Sequence, residues 1–326
     1  MAVRRTGTVV DKALVAPGLM RFRLMPESGN LFAGYEAGQH IALRREDCKL
    51  TRKLGTGQDG KPVYEPECDP WGRQTVGPVT HAYSIASAPA DTAEHGWLEF
   101  LVGFEHGVYG LPGRLNEALF GMVEEPSCEV LYDDSISGAF TLAERTDSAT
   151  SVLLVGTGTG VAPFVSMIKQ LHAVADGSDG RRYTLIHASR TQPELAYDGD
   201  LFEIEGAGRF DFTYVPTVSR PSQSEDLDPR IGQGRASNLV RHIYGLPTAE
   251  EEKLTGASND VARVAAGLAV ERLVSPILPR HLSAATLRER VDASTTALLA
   301  CGNPASVADI KFTASRREIR FEQEEY

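Results

Sequence analysis

Up to about residue 145, apolar and polar positions alternate in short runs: TGTVVDKALV (6–15), MRFRLM (20–25), GQHIALRR (38–45), AYSIAS (82–87), WLEFLVGF (97–104) and CEVLYD (128–133). Gly, Pro, Asn and Asp separate them. A period of two with this punctuation predicts half-buried strands, and several at such spacing predict a small barrel or sandwich. After residue 150 the rhythm changes. SVLLV (151–155), YTLIHAS (183–189), FDFTYV (210–215) and TALLACG (296–302) read as fully buried strands. Helical patterns lie between them, as in VAPFVSMIKQL (161–171), where Val161, Phe164, Val165, Ile168 and Leu171 share one face. Strand alternating with helix predicts a doubly wound parallel sheet. The polar stretch LAERTDSAT (142–150) has no periodicity and marks the boundary, giving one domain over 1–145 and a second over 150–326.

Two segments read as additions. Residues 47–78 are rich in Gly, Pro and charge and too long for an ordinary connection, which predicts a mobile loop. Residues 248–291 have helical character, with Val261, Val264, Leu268 and Leu273 near one face.

Length and composition narrow the class. A chain of 326 residues accommodates two domains, each with its own core. No apolar run approaches the ~20 residues of a membrane span, and Asp11 and Lys12 interrupt any secretory signal, so a cytoplasmic protein without membrane attachment is expected. The four cysteines, Cys48, Cys68, Cys128 and Cys301, lack the spacing of zinc or iron–sulfur sites, so no built-in metal centre is expected. A net charge of −11 argues against nucleic acid as a partner. That charge is uneven: residues 1–75 carry 12 Lys/Arg and 9 Asp/Glu, a balance of +3, which makes the first third the natural docking face for an acidic partner.

The candidate chemistry centres on GTGTGVAPF (156–164), directly after SVLLV. Glycine permits close backbone approach and positive φ, so this strand-to-helix turn suits either a phosphate cradle or a tight corner. It matches neither the Walker A loop nor G-x-G-x-x-G.

With HAYSIAS (81–87) ahead of it, the loop completes a pattern that resembles the ferredoxin–NADP reductase family, whose flavin strand reads R-x-Y-S and whose nicotinamide domain opens with G-T-G-x-A-P. The resemblance runs from GQHIAL to the last residue, outside the two additions. It implies an antiparallel Greek-key β-barrel that binds FAD over 1–145, followed by a Rossmann-like NADP-binding domain over 150–326. Tyr83 would lie against the flavin ring and Ser84 would hydrogen-bond near its N5, with His81, Ala82, Leu101 and Val102 completing the contact. Two departures stand out. His81 replaces the family's arginine, and Pro112 in GVYGLPGRL (107–115) stands where a hydroxyl is expected to grip the pyrophosphate; Gly113 and Arg114 would compensate.

On the nicotinamide side, Gly156, Thr157, Gly158, Thr159 and Gly160 form the loop, with Gly302 and Asn303 facing it from the next strand end. Arg190 in HASRT, Arg220 in TVSRP and Arg235 in GQGRASNLV resemble the family elements that contact the adenosine phosphate. Cys301 would lie beside the nicotinamide C4. The terminal EQEEY implies that Glu324 assists at N5 through Ser84 and that Tyr326 covers the flavin face opposite Tyr83. The function implied is hydride exchange between NADPH and FAD, with single electrons passing to a separate, acidic ferredoxin or flavodoxin docked on Arg44, Arg45, Lys49, Arg52 and Lys53. Two alternatives stay open: the reductase component of an oxygenase system, and a flavin-binding sensor or electron-transfer subunit without turnover.

Overall fold

The computed structural model describes residues 3–57, 62–104, 114–124, 128–176, 180–221 and 227–324. The chain divides into two compact units, Met1–Ala139 and Phe140–Tyr326.

The first unit is antiparallel. Its strands are β1 (Arg4–Ala16), β2 (Leu19–Met25), β3 (His40–Lys49), β4 (Thr51–Thr56), β5 (Pro62–Pro66), β6 (Val76–Ser84), β7 (Leu98–Gly103) and β8 (Cys128–Ser137). Six of them form one sheet in the order β6-β3-β8-β1-β2-β7, with β8 returning between β3 and β1 as in a Greek key. Alternation dictates the core. In MRFRLM, Met20, Phe22 and Leu24 are fully buried and the arginines between them face out. Phe22 meets Phe100 of β7 with ring centroids 5.3 Å apart. Past β6 the chain curls back to the far edge, where Ala86 N donates to Glu99 O (2.8 Å) and Glu99 N donates to Ser87 Oγ (3.1 Å).

Residues 47–78 are not the loop expected of them. β4 and β5 pair antiparallel, and backbone bonds Leu50 N–Thr75 O (2.9 Å) and Glu67 N–Leu50 O (3.0 Å) tie the ribbon to its base. The Asp69 carboxylate closes the return turn by accepting from Trp71 N and Arg73 N, both at 2.9 Å. An Asx turn joining two short β segments looks polar and aperiodic in sequence, which is why the ribbon read as a loop.

The second unit holds a six-stranded, all-parallel sheet: β9 (Ser151–Thr157), β10 (Arg182–Ser189), β11 (Asp211–Val218), β12 (Gly232–Gln233), β13 (Thr296–Cys301) and β14 (Arg320–Gln323), in the order β12-β11-β10-β9-β13-β14. Both faces of β9 are buried; Leu153 and Val155 join the cluster with Leu239, Val240 and Ile310, and Val152 and Leu154 are equally enclosed on the other side. The strand order runs outward from β9 to β12, then jumps back to β13 on β9's other flank. This reversal puts a topological switch point between the carboxyl ends of β9 and β13.

The 248–291 segment forms helices Ala249–Thr255, Asp260–Glu271 and Ala284–Arg290. Its middle helix exposes the apolar stripe read from the sequence: Val261 is 81% exposed, and Val264 and Leu268 also face out. That helix is started by its cap, Asn259 Oδ1 accepting from Ala262 N at 2.8 Å, and not by burial of the stripe. Among the described residues, no helix is long and apolar enough to cross a membrane.

Candidate functional site

Strand β6 is an edge of its sheet and pairs only with β3 among the described residues, so its outer backbone groups remain available to a ligand. On it, His81 and Ala82 are exposed, Tyr83 is half-buried and Ser84 is buried. The Tyr83 hydroxyl donates to Asn116 Oδ1, and Asn116 Nδ2 donates to Gly103 O (2.7 Å), which fixes the phenol between the helix Arg114–Gly121 and the end of β7. Burial pushes the Tyr83 phenol's pKa well up, so it stays a neutral donor. Asn116 is a site residue that the sequence reading missed; inside RLNEAL it looks like any solvent-facing polar position.

His81 is held below the usual histidine range, first by desolvation and then by the positive charge of Arg114. The lasting cation here is therefore Arg114, at the start of its helix. Leu101 and Val102 are buried in β7, Val102 within the core cluster, so at that position only the backbone faces outward. Gly113, with Pro112, lies outside the described residues.

At the switch point of the second unit, the three glycines do different things. A Cβ on Gly160 would lie 2.4 Å from Gly302 Cα, and one on Gly302 would lie 2.3 Å from Thr157 O; a Cβ on Gly156 would press on Val161 at 2.8 Å. These glycines let the two strand ends pack backbone to backbone. Gly158 differs: its φ is +57° and an added Cβ would meet nothing within 4 Å. The cradle reading thus rests on Gly158, Thr159 and the amides that lead into the helix Ala162–Val174, and the tight-corner reading accounts for the rest.

Thr157 Oγ1 accepts from Asn303 N (2.7 Å), locking the corner. Asn303 spends its side chain on capping the helix Pro304–Arg316, where Oδ1 accepts from Ala305 N and Ser306 N. Beside it, the buried Cys301 thiol donates to Glu324 Oε2 at 2.8 Å. Glu324 N reaches Ala300 O (3.4 Å), so the tail extends the pairing of β14 with β13 and brings its carboxylate to the thiol. Tyr326 lies outside the described residues.

The three candidate arginines come together on one edge. Ser219 N donates to Ser189 O (3.0 Å) and Arg220 N to Arg190 O (2.7 Å), carrying the β10–β11 ladder past both strands. Val218 pairs with Gln233, two residues short of Arg220 and Arg235 respectively. Their side chains differ in freedom. Arg235 Nη1 pairs with Glu250 Oε1 at 2.9 Å, whereas no described residue forms an ion pair with Arg220. The expected docking cations are also partnered: Arg44 with Glu46, Arg45 with Asp47, Lys49 with Glu117 and Arg52 with Glu65.

Residues 154–242 match the family described as the oxidoreductase NAD-binding domain. The chain is 23% identical over 195 residues to the reductase component of a propane 2-monooxygenase from Mycolicibacterium goodii, a match covering 51% of this chain and 54% of that protein. The chain thus spans about half the length of that relative. Among solved structures, a ferredoxin NADP+ reductase from Neisseria gonorrhoeae, with FAD and NADP bound, superimposes with a TM-score of 0.56 at 19% identity and 99% coverage of both chains. A cytochrome P450 reductase from Amycolatopsis gives 0.55 at 18% identity, covering all of this chain and 71% of the other. An antiparallel Greek-key unit followed by a parallel unit with its switch point at the glycine corner is the fold of the ferredoxin–NADP reductases, and within it residues 154–242 match the oxidoreductase NAD-binding domain.

Proposed function

We propose that the chain is an NADPH-dependent flavin reductase: the first unit holds FAD, the second holds NADPH, and electrons leave singly for a separate carrier protein. The observation that carries this reading is the thiol–carboxylate pair Cys301–Glu324 at the carboxyl end of β13, beside the glycine corner, where ligands of open α/β sheets bind.

The residues present fit both groups. For FAD, an edge strand paired on one side only among the described residues offers backbone donors and acceptors, Tyr83 is held rigidly by Asn116, and Arg114 places a cation at a helix start. For NADPH, Gly158 leaves room at the corner and three arginines line the adjoining strand ends. When bound, FAD supplies the conversion between a hydride's electron pair and single electrons.

The chain's own residues then bind, orient and move protons. Tyr83 presents its ring with its hydroxyl already satisfied, so the phenol adds surface without competing as a donor. Ser84 is buried at the carboxyl end of β6, where its hydroxyl would face the ring edge. Arg114 neutralises phosphate while His81 stays uncharged. Cys301 donates its proton toward Glu324 Oε2, which keeps the thiol oriented and gives the carboxylate a resident partner between proton transfers.

A second reading has support of its own. With four of the five expected docking cations already paired to this chain's carboxylates, a general acidic carrier has less to grip, and the propane monooxygenase and P450 relatives are reductases named with an oxygenase system. In this reading the electron acceptor is a dedicated oxygenase partner.

Both readings require a yellow protein. Purified protein reconstituted with FAD, with its visible spectrum followed during anaerobic NADPH addition, is expected to bleach. Absence of both flavin uptake and bleaching overturns the proposal, and reduction rates of a ferredoxin against an oxygenase component separate the two acceptors.

A further inference from the structure

The 248–291 segment brings three consecutive glutamates into the second unit, each with its own task. Glu251 completes a capping box with Thr248, accepting from Thr248 N (2.8 Å) while Glu251 N donates to Thr248 Oγ1 (3.3 Å). Glu252 binds the buried Arg241 at 2.9 Å and also pairs with Arg316. Arg241 in turn grips Asp309 through Nε at 3.0 Å, so this helix is riveted to the helices Ala236–Ile243 and Pro304–Arg316.

Glu250, thereby fixed, is left with a different role. One oxygen takes Arg235 Nη1 at 2.9 Å and the other accepts from Asn238 Nδ2 at 3.2 Å. The carboxylate is 13% exposed and Arg235 is 67% exposed. A largely enclosed, doubly held anion thus reaches out to an open cation, not the reverse. The far end of the same segment flanks the turn as well: Gln233 and Ile277 exchange backbone hydrogen bonds at 2.7 and 2.9 Å, and Gly234, with φ +109°, packs against Pro276.

From this arrangement we infer that Glu250 is a specificity-determining residue that withholds Arg235 from the adenosine 2′-phosphate, leaving discrimination between NADPH and NADH to Arg190 and Arg220. The inference rests on the reading of the second unit as the dinucleotide site. Its physical basis is direct. A phosphate approaching Arg235 meets a cation whose charge is already cancelled, and a fixed carboxylate within one guanidinium's width repels it.

The test is calorimetric binding of adenosine 2′,5′-bisphosphate and of adenosine 5′-monophosphate to the full chain and to Glu250→Gln. The variant is expected to tighten the bisphosphate by roughly fivefold or more while changing the monophosphate by less than about twofold. Adding Arg235→Ala to Glu250→Gln is expected to return the ratio near its original value, which a loss of folding in either variant does not mimic; thermal unfolding of each variant verifies the fold. An unchanged ratio in Glu250→Gln, with both nucleotides bound, overturns the role of Glu250 and leaves the dinucleotide site standing. Failure of the unaltered chain to bind either nucleotide overturns the site itself and the inference with it.

Discussion

Cys301 and Glu324 come from opposite ends of a β-α-β connection and meet through a 2.8 Å thiol-to-carboxylate hydrogen bond. The thiol ends β13 and the carboxylate follows β14, so the parallel pairing of these strands sets the contact. On the proposed function, Glu324→Gln keeps the shape of the pair but loses the proton acceptor. Flavin reduction by NADPH, followed anaerobically by stopped flow, is expected to slow by about tenfold to a hundredfold with flavin content unchanged. A variant as fast as the parent removes Glu324 from the proton path.

The glycine corner makes a structural prediction that is independent of any ligand. Gly160→Ala forces a Cβ to within 2.4 Å of Gly302 Cα, backbone that cannot yield cheaply, and is expected to cost about 1–3 kcal/mol or more. Gly158→Ala meets open space and carries only the strain of a positive φ, about 1–2 kcal/mol. Denaturant midpoints that rank the two in the opposite order contradict the packing role given to Gly160.

No described residue forms an ion pair with Arg220, whereas Arg235 is paired with Glu250. Arg220→Ala is expected to weaken NADPH by roughly tenfold or more while sparing NADH, since an arginine–phosphate contact is charge-assisted. Steady-state KM values for both nucleotides decide this, and an equal loss with each refutes it.

A pH effect follows from His187, fully buried on β10 with Nδ1 2.9 Å from the Tyr214 hydroxyl and Nε2 without a partner among the described residues. Burial lowers its pKa to about 3 in the folded protein. The unfolded chain, with an ordinary imidazole near 6.5, binds the proton first as pH falls. This residue therefore contributes nothing unfavourable above about pH 6.5 and progressively destabilises the fold from there down to about pH 3. The slope is up to ~1.4 kcal/mol per pH unit. His187→Gln is expected to flatten that limb in urea unfolding between pH 6.5 and pH 4; an unaltered slope assigns the acid sensitivity to other groups.

How much the sequence disclosed depended on whether a residue's role was local. MRFRLM gave its burial through alternation alone, and SVLLV and TALLACG gave theirs through unbroken apolarity, whereas WLEFLVGF, expected to alternate, is buried from Leu98 to Val102 with Glu99 enclosed between them. The placement of Arg190, Arg220 and Arg235 on one edge was legible, their role aside, because each follows a strand end and a parallel sheet gathers strand ends on one edge. Asn116 and Glu250 were not legible, because their partners, Tyr83 and Arg235, are 33 and 15 residues away and nothing nearby marks them. The ribbon at 51–66 was hidden for another reason: exposed on both sides, it lacks the hydrophobic face by which strands are recognised.

The backbone exchange between Gln233 and Ile277 carries one more implication. β12 contributes only two residues to the margin of an all-parallel sheet, and a bare margin invites strands from other molecules to dock and polymerise. By laying Ile277 antiparallel along it, the chain caps its own sheet, so shortening the 248–291 segment to a bare turn would trade a compact helical appendage for a sticky border.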